Sequence, residues 1–319
     1  MSYTGPDPDP SPPRRFPRGP LTVAVAALLP GALLGWAVYQ AVGSPGGSAD
    51  VRGPAGPASA TAGNPTAGTP AAAGDAKPDA PSPAPSGPAD PSAAAGPLAG
   101  RVVVIDPGHN PGNARHTAEI DRKVDIGTRR KECDTTGTST NAGYAEARFT
   151  LDVAHRLRHL LEEQGATVEL TQDGDRPYGP CIDERARIGN AAHADAVVSI
   201  HADGSASGNR GFHVILPAAV HAGAADTRAI VGPSRVLGER IAGSFVRATG
   251  SAPANYVGDG TGLVTREDLG GLNLSTVPKV FIECGNMRDS KDAALLTSGA
   301  WRQKAAQGIS EGIAGYLRG

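Results

Sequence analysis

The chain has 319 residues, with 30 Lys and Arg against 32 Asp and Glu and a formal charge of −2. No Lys/Arg run outside the N-terminus suggests a nucleic-acid face, so a nucleic-acid partner is not expected. The composition is also uneven along the chain. A basic start with Arg14, Arg15 and Arg18 precedes the uncharged stretch "LTVAVAALLPGALLGWAVYQAV", Leu21 to Val42. That stretch is long enough to cross a bilayer core as a helix despite Pro30. Arginine before it and Asp50 after it place residues 1–20 in the cytoplasm and everything later outside. It is longer than a usual signal core and lacks a clean small-x-small site, which favours an uncleaved single-pass anchor over a secreted product. Residues 43–97 are almost wholly Ala, Pro, Gly, Ser and Thr. They cannot bury enough apolar surface to offset chain entropy and read as a disordered tether. As a flexible coil it spans roughly 40 Å.

Residues 98–319 are expected to form one sizeable domain. Strand-like apolar runs fall at Val102–Ile105, Thr167–Leu170, Ala196–Ile200, Gly211–Leu216 and Val280–Ile282, with a weaker one near Leu263. Between them the periodicity is helical. In "AEARFTLDVAHRLRHLLEEQG", Phe149, Val153, Leu157, Leu160 and Leu161 share one face, and Gly165 closes the helix. "DERARIGNAAHA" predicts a second helix, with Ala186, Ile188, Ala191 and Ala192 available to pack. Residues 234–248 and 300–317 predict two more. This alternation argues an α/β domain with a twisted, mostly parallel sheet and helices on both faces. The irregular segment between Asn110 and Ala145 is too long to be slack and reads as a flap beside a site. Cys133 and Cys181 sit in loop-like polar settings, in a compartment where disulfides persist. They are the favoured pair, although spacing alone does not fix connectivity, and Cys284 is left over.

Three hydrophobic runs hand over to residues that can bind metal or move protons. "VVVIDPGH" reaches His109, "AVVSIHADG" reaches His201 and "VPKVFIECGN" reaches Glu283. The carboxyl edge of an open α/β sheet is where such sites are built. Two histidines and a carboxylate make a zinc set with a fourth position free for water. Glu146, heading the long helix, can complete it, leaving Glu283 as the base that a zinc hydrolase needs. Glu283 as third ligand, with Glu146 merely complementing the helix dipole, stays open at this point. Glu119 and Glu132 lie in the irregular segment and are less well fixed. His116, His155, His159, His193, His213 and His221 read as surface or supporting residues. His155 and His159 form an i,i+4 pair within a polar, solvated helix face. Asp106 reads either as a turn residue or as a group that orients the site by hydrogen bonds.

Taken in order, "VVVIDPGHNPG", a Glu opening the next helix, "DERARIGNAAHADAVVSIHADG" and "VPKVFIECGNMRDSKDAALL" resemble the zinc-dependent N-acetylmuramoyl-L-alanine amidases of the Amidase_3 family. The resemblance covers Arg101 to Leu317. It implies one zinc ion held by His109, Glu146 and His201, and Glu283 as the catalytic glutamate. It also implies a peptidoglycan hydrolase cutting the amide between N-acetylmuramic acid and the L-alanine of the stem peptide, and we expect a monomer. The rival expectations are another zinc peptidase of the wall or a non-catalytic wall-binding protein that keeps the fold. The helical insertion that covers the site in some relatives is not recognisable here, and no wall-binding repeat is present.

Overall fold

The computed structural model describes residues 96–319. The expected cytoplasmic segment, the apolar segment Leu21–Val42 and nearly all of the tether lie outside the described residues. Among the described residues no helix is long and apolar enough to cross a membrane. In chain order the elements are β1 (Val102–Pro107), α1 (Thr117–Ile120), β2 (Lys123–Asp125), β3 (Arg130–Glu132), α2 (Glu146–Glu162) and β4 (Thr167–Leu170). There follow α3 (Ile182–Ala191), β5 (Ala196–Asp203), β6 (His213–Pro217), β7 (His221–Ala222), β8 (Ala225–Asp226) and α4 (Val231–Thr249). The last are β9 (Leu263–Arg266), α5 (Gly270–Asn273), β10 (Lys279–Asn286), α6 (Ser290–Leu296) and α7 (Gly299–Leu317).

Six strands form one sheet in the order β4-β1-β5-β10-β6-β9. β4, β1, β5 and β10 run parallel, and β6 turns against β10 with β9 parallel to it. The expected α/β layering is therefore present, on a mixed sheet in which β6 and β9 run against the other four strands. The flap segment is not structureless, because β2 and β3 pair as a small antiparallel hairpin.

Side chains alternate between the faces of a strand, and the sequence "VVVID" encodes both faces at once. Val103 and Ile105, with Val198, Ile200, Val280 and Ile282, enter the main core under α2, α4 and α7. α2 packs there through Phe149, Val153, Leu157 and Leu161, each fully buried. α7 lies unusually close to α4. A Cβ added to Gly312 would sit 2.5 Å from the Ile241 Cα, so only glycine permits that approach. Gly250 ends α4 in the left-handed conformation (φ 71°), its N–H reaching the Val246 carbonyl.

The opposite face carries Val104 and Val197 in a small cluster with Ala194. Further along the same rows come Asp106, Ser199 and His201, and Lys279, Phe281 and Glu283. α3 covers this face, but not as its apolar pattern suggests. Ala186 is buried, whereas Ala191 is exposed and Arg185 takes an interior position in its stead. Arg185 can be buried because its guanidinium is fully bonded, to Asp106 (2.8 Å), Asp134 (3.0 Å) and the Pro180, Pro107 and His109 carbonyls.

Candidate metal centre

β1 stops where the sequence places Pro107 and Gly108, and the backbone then turns sharply. Gly108 has no freedom to be anything else, since a Cβ there would lie 2.3 Å from the His201 ring. His109 follows with a left-handed backbone (φ 62°), an unusual state for a residue with a side chain. The Arg185 guanidinium holds the His109 carbonyl at 2.9 Å, and Gln172 donates to the same oxygen at 3.1 Å. These bonds hold the strained turn and fix where the imidazole projects.

His109 Nδ1 faces the Thr135 carbonyl at 3.1 Å and Asp134 at 3.6 Å. Its other nitrogen, Nε2, lies 3.1 Å from Glu146 Oε2. Glu146 Oε1 in turn lies 3.1 Å from His201 Nδ1. Glu146 opens α2 yet does not cap it, for that helix end has no side-chain cap bond. Its carboxylate instead accepts the Thr138 N–H (2.9 Å) and the Ala202 N–H (3.1 Å), bridging the flap to β5. A purely dipole-complementing role for Glu146 does not account for these partners. The candidate ligand atoms of His109, Glu146 and His201 all lie within 4.8 Å of one another.

A tetrahedral zinc ion with bonds of about 2.0–2.1 Å sets its ligands about 3.3 Å apart. The donor set, its spacing and the anchoring of the far nitrogen of His109 all fit such an ion. Burial opposes a charge on His109, but Glu146 and Asp134 outweigh it and raise His109 to about 10. Burial also opposes the charge on Glu146, and His109 and His201 more than offset it, holding the carboxyl well below the usual range.

Glu283 stands next to this group by register, since β10 sets it opposite His201 on β5. Neither residue ends its strand, because β5 runs on to Asp203 and β10 to Asn286, with a register shift after Glu283. Glu283 Oε2 is buried and finds no hydrogen-bond partner among the described residues. Burial, then Glu146 and Asp203, push its carboxyl well above the usual carboxylate range. It is a carboxyl disposed to hold a proton, unlike Glu146.

Beside His109 and His201 a cavity of about 160 Å³ opens between Phe281, Ile182 and the Leu269–Gly271 turn. Its flap side is pinned by the Cys133–Cys181 disulfide, whose sulfurs pack with Val124, Ile126 and Ile182, while Cys284 is free and buried. Glu119 is exposed and pairs with His116, and Glu132 pairs with Lys123. His155 and His159 are exposed, facing Asp173 and Glu163 respectively. Of the histidines read as surface or supporting, His213 is a supporting one: it is buried opposite Glu283 on β6, its Nδ1 finds no partner among the described residues, and burial lowers it to about 4.

Sequence reasoning did not single out Lys279 and Arg185, whose ends meet Asp106 beneath the site. The alternation in "KVFIE" places Lys279 on the face of Glu283 and was a usable signal. For Arg185 there was none, because only the fold brings Asp106 and Asp134 to it.

Fold and site together define an α/β domain that gathers a His–Glu–His triad and a buried carboxyl toward the carboxyl edge of its sheet. The family described as N-acetylmuramoyl-L-alanine amidase, Amidase_3, matches residues 103–315, and the chain belongs to it. The chain is similar to N-acetylmuramoyl-L-alanine amidase Rv3717 of Mycobacterium tuberculosis, 42% identical over 221 residues, covering 69% of this chain and 88% of that protein. The crystal structure of the N-acetylmuramyl-L-alanine amidase Ami1 from Mycobacterium smegmatis superposes with a TM-score of 0.63 at 40% identity, over 69% of this chain and 98% of that one. Apo Ami1 from Mycobacterium abscessus gives 0.63 at 42% identity, over 69% of this chain and 100% of that one.

Proposed function

We propose that the chain is a zinc-dependent peptidoglycan hydrolase that cuts the amide between N-acetylmuramic acid and the L-alanine of the stem peptide. The observation that carries this reading is the convergence of His109, Glu146 and His201 beside Glu283, whose Oε2 is buried and unpartnered among the described residues, in a chain of this family. His109, Glu146 and His201 would hold one zinc ion, and Glu283 is the catalytic glutamate. A zinc ion at that set supplies Lewis acidity toward an amide carbonyl and makes a bound water easier to deprotonate. Asp134 and the Thr135 carbonyl keep His109 Nδ1 occupied, so that Nε2 faces the site. Glu283 takes a proton at Oε2 from the attacking water and delivers it to the leaving alanine nitrogen. Its raised proton affinity suits the second half of that exchange. Phe281, stacked on His201 with ring centroids 5.2 Å apart, keeps bulk water from one side of the imidazole.

Metal analysis of the purified chain together with product masses from digested sacculi tests the reading. The expected result is about one zinc per chain and release of intact stem peptides beginning with L-alanine. Peptides shortened from the far end instead would assign a carboxypeptidase or endopeptidase, and no release would leave only wall binding.

The proposal extends to the N-terminus. Residues 21–42 anchor the chain, residues 43–97 act as a tether, and a monomeric catalytic domain from residue 98 works outside the cytoplasm. The packing supports the boundary, because Leu98 is fully buried and its N–H reaches the Gln164 carbonyl at 2.9 Å. Membrane fractionation of the expressed chain tests the anchor. Recovery wholly in the soluble fraction, at full length, would refute it.

A further inference from the structure

Next to the metal centre, one carboxylate answers to three cations. Asp268 accepts Arg266 Nε on Oδ1 and Arg266 Nη2 on Oδ2, both at 2.7 Å. Arg129 Nη2 reaches the same Oδ2 at 3.2 Å, and Lys131 Nζ lies 3.8 Å from it. Among the described residues none of the three forms an ion pair with any second acid. Within ion-pair distance the knot's three cations thus face one carboxylate, with Glu132, Asp203 and Glu283 acting on them from farther off, and its guanidinium and ammonium groups keep N–H donors unused. Arg266 and Arg129 are each about half exposed, so some of those donors face water.

The knot also sits where a substrate would pass. Lys131 lines the cavity that His109 and His201 open onto, and Leu269 to Gly271, immediately after Asp268, form its wall. Arg266 ends β9 opposite Pro217, on the row that carries His213 and Ile215 toward β10. It thus shares the sheet face of Glu283. The two groups sense each other's charge, Glu283 being among the influences that raise Arg266. A cationic rim with one embedded carboxylate suits a guest that brings its own carboxylate, through paired guanidinium bonds. Of the two sides of the proposed scissile bond, the sugar side offers hydroxyl and amide groups. The peptide side offers carboxylates, the first on the residue after L-alanine.

We propose that Arg266 and Lys131, organised by Asp268, form a subsite for a free carboxylate on the peptide leaving the scissile amide. This rests on the amidase reading above and adds to it the side of the substrate that the chain grips and the charge state it prefers. Asp268 acts as an internal placeholder that keeps the cations together and moderates their pull.

The test compares muramoyl-L-alanyl-D-isoglutamate with its amidated isoglutamine counterpart, using the full chain. The expected preference for the free acid is about five- to tenfold in kcat/KM, expressed mostly in KM, as for one partly exposed charge-assisted pair. Arg266→Gln should bring the ratio toward one and Lys131→Met should reduce it in part. Asp268→Asn should move it the other way, because it removes the competing carboxylate and leaves the cations in place. Opposite movement of the Arg266 and Asp268 variants distinguishes a subsite from a structural strap, since loss of a strap would shift both alike. Equal rates on the two substrates, or a ratio the variants leave unmoved, overturns the subsite. If neither substrate is cut, the amidase reading itself fails. The subsite is then decided by calorimetry with the free peptide L-alanyl-γ-D-glutamate and its amide, where the same ratio and the same opposite movements are required.

Discussion

The two faces of the central sheet are made from alternate residues of the same three strands, yet different physics holds them. On one face Val103, Ile105, Val198, Ile200, Val280 and Ile282 meet α2, α4 and α7, and burial of apolar area does the work. On the other, Asp106, Ser199 and Lys279 lie in the interior with their polar atoms bonded to one another. Lys279 Nζ lies 3.0 Å from Asp106 Oδ2, and Ser199 and Thr171 donate to the same carboxylate at 2.8 and 2.7 Å. Lys279 and Arg185, against the cost of burial, hold the Asp106 carboxyl well below the usual range. The apolar face tolerates imperfect packing in small steps, whereas the polar face is satisfied only as a set. The site stands on the second kind of support, which fixes direction as well as distance.

The largest expected effect separates chemistry from support. Glu283→Gln should keep zinc near one per chain while lowering hydrolysis on the order of a hundred- to ten-thousand-fold. His201→Ala should lose metal and activity together. Metal analysis beside rate measurement decides, and a zinc-free Glu283→Gln with a zinc-loaded Glu146→Ala would reverse the two roles.

The next pair sets face against face. Phe245→Ala, in the main core, should cost about 3–5 kcal/mol by leaving a cavity. Lys279→Met, under the site, should cost on the order of 3 kcal/mol by leaving Asp106 short of a partner. Denaturant titration gives both values, but only Lys279→Met should also weaken zinc retention in chelator competition. Equal zinc retention in the two would erase the distinction between the faces.

Reduction of Cys133–Cys181, whose sequence separation is 48, should remove roughly 2–4 kcal/mol and lower the melting temperature. Bound zinc should remain, since no cysteine lies in the triad. Loss of the metal on reduction would show that the flap, through Asp134, is needed for binding and not only for stability.

The smallest effect is a pH slope on the polar face. His213 is lowered from 6.5 to about 4 because burial disfavours its charge, so protonation favours the unfolded chain. Its contribution is complete above pH 6.5 and is lost as pH falls toward 4, by on the order of 3 kcal/mol in all. His213→Gln should flatten the stability curve across that window, and an unchanged slope would remove His213 as its cause.

Much of this was legible beforehand. Strand-like apolar runs located the six strands of the sheet to within a few residues, and helical spacing located α2, α4 and α7. His201 and Glu283 showed because each follows a hydrophobic run directly, His109 because it closes the turn that ends one, and Glu146 because it heads the long amphipathic helix. What stayed hidden depends on partners distant in the chain. Arg185 looked like a solvent-facing helix residue and became interior because Asp106 and Asp134 wait for it. His213 could be left only as surface or supporting, because nothing in the sequence shows that β6 pairs with β10 and sets it opposite Glu283. The flap hairpin escaped because its strands are three residues each, too short for any periodicity.

His109, Glu146, His201 and Glu283 come from four separate stretches spread over more than half of the chain. Bringing them together requires β1, α2, β5 and β10 to have docked, a set of long-range closures that forms slowly compared with any local helix. On the proposed reading, no fragment or half-assembled intermediate would hold the ion or cut an amide. Metal uptake would then time the whole domain, its rate expected to coincide with the burial of Trp301 rather than to precede it. A potentially destructive activity would in this way stay silent until assembly is complete.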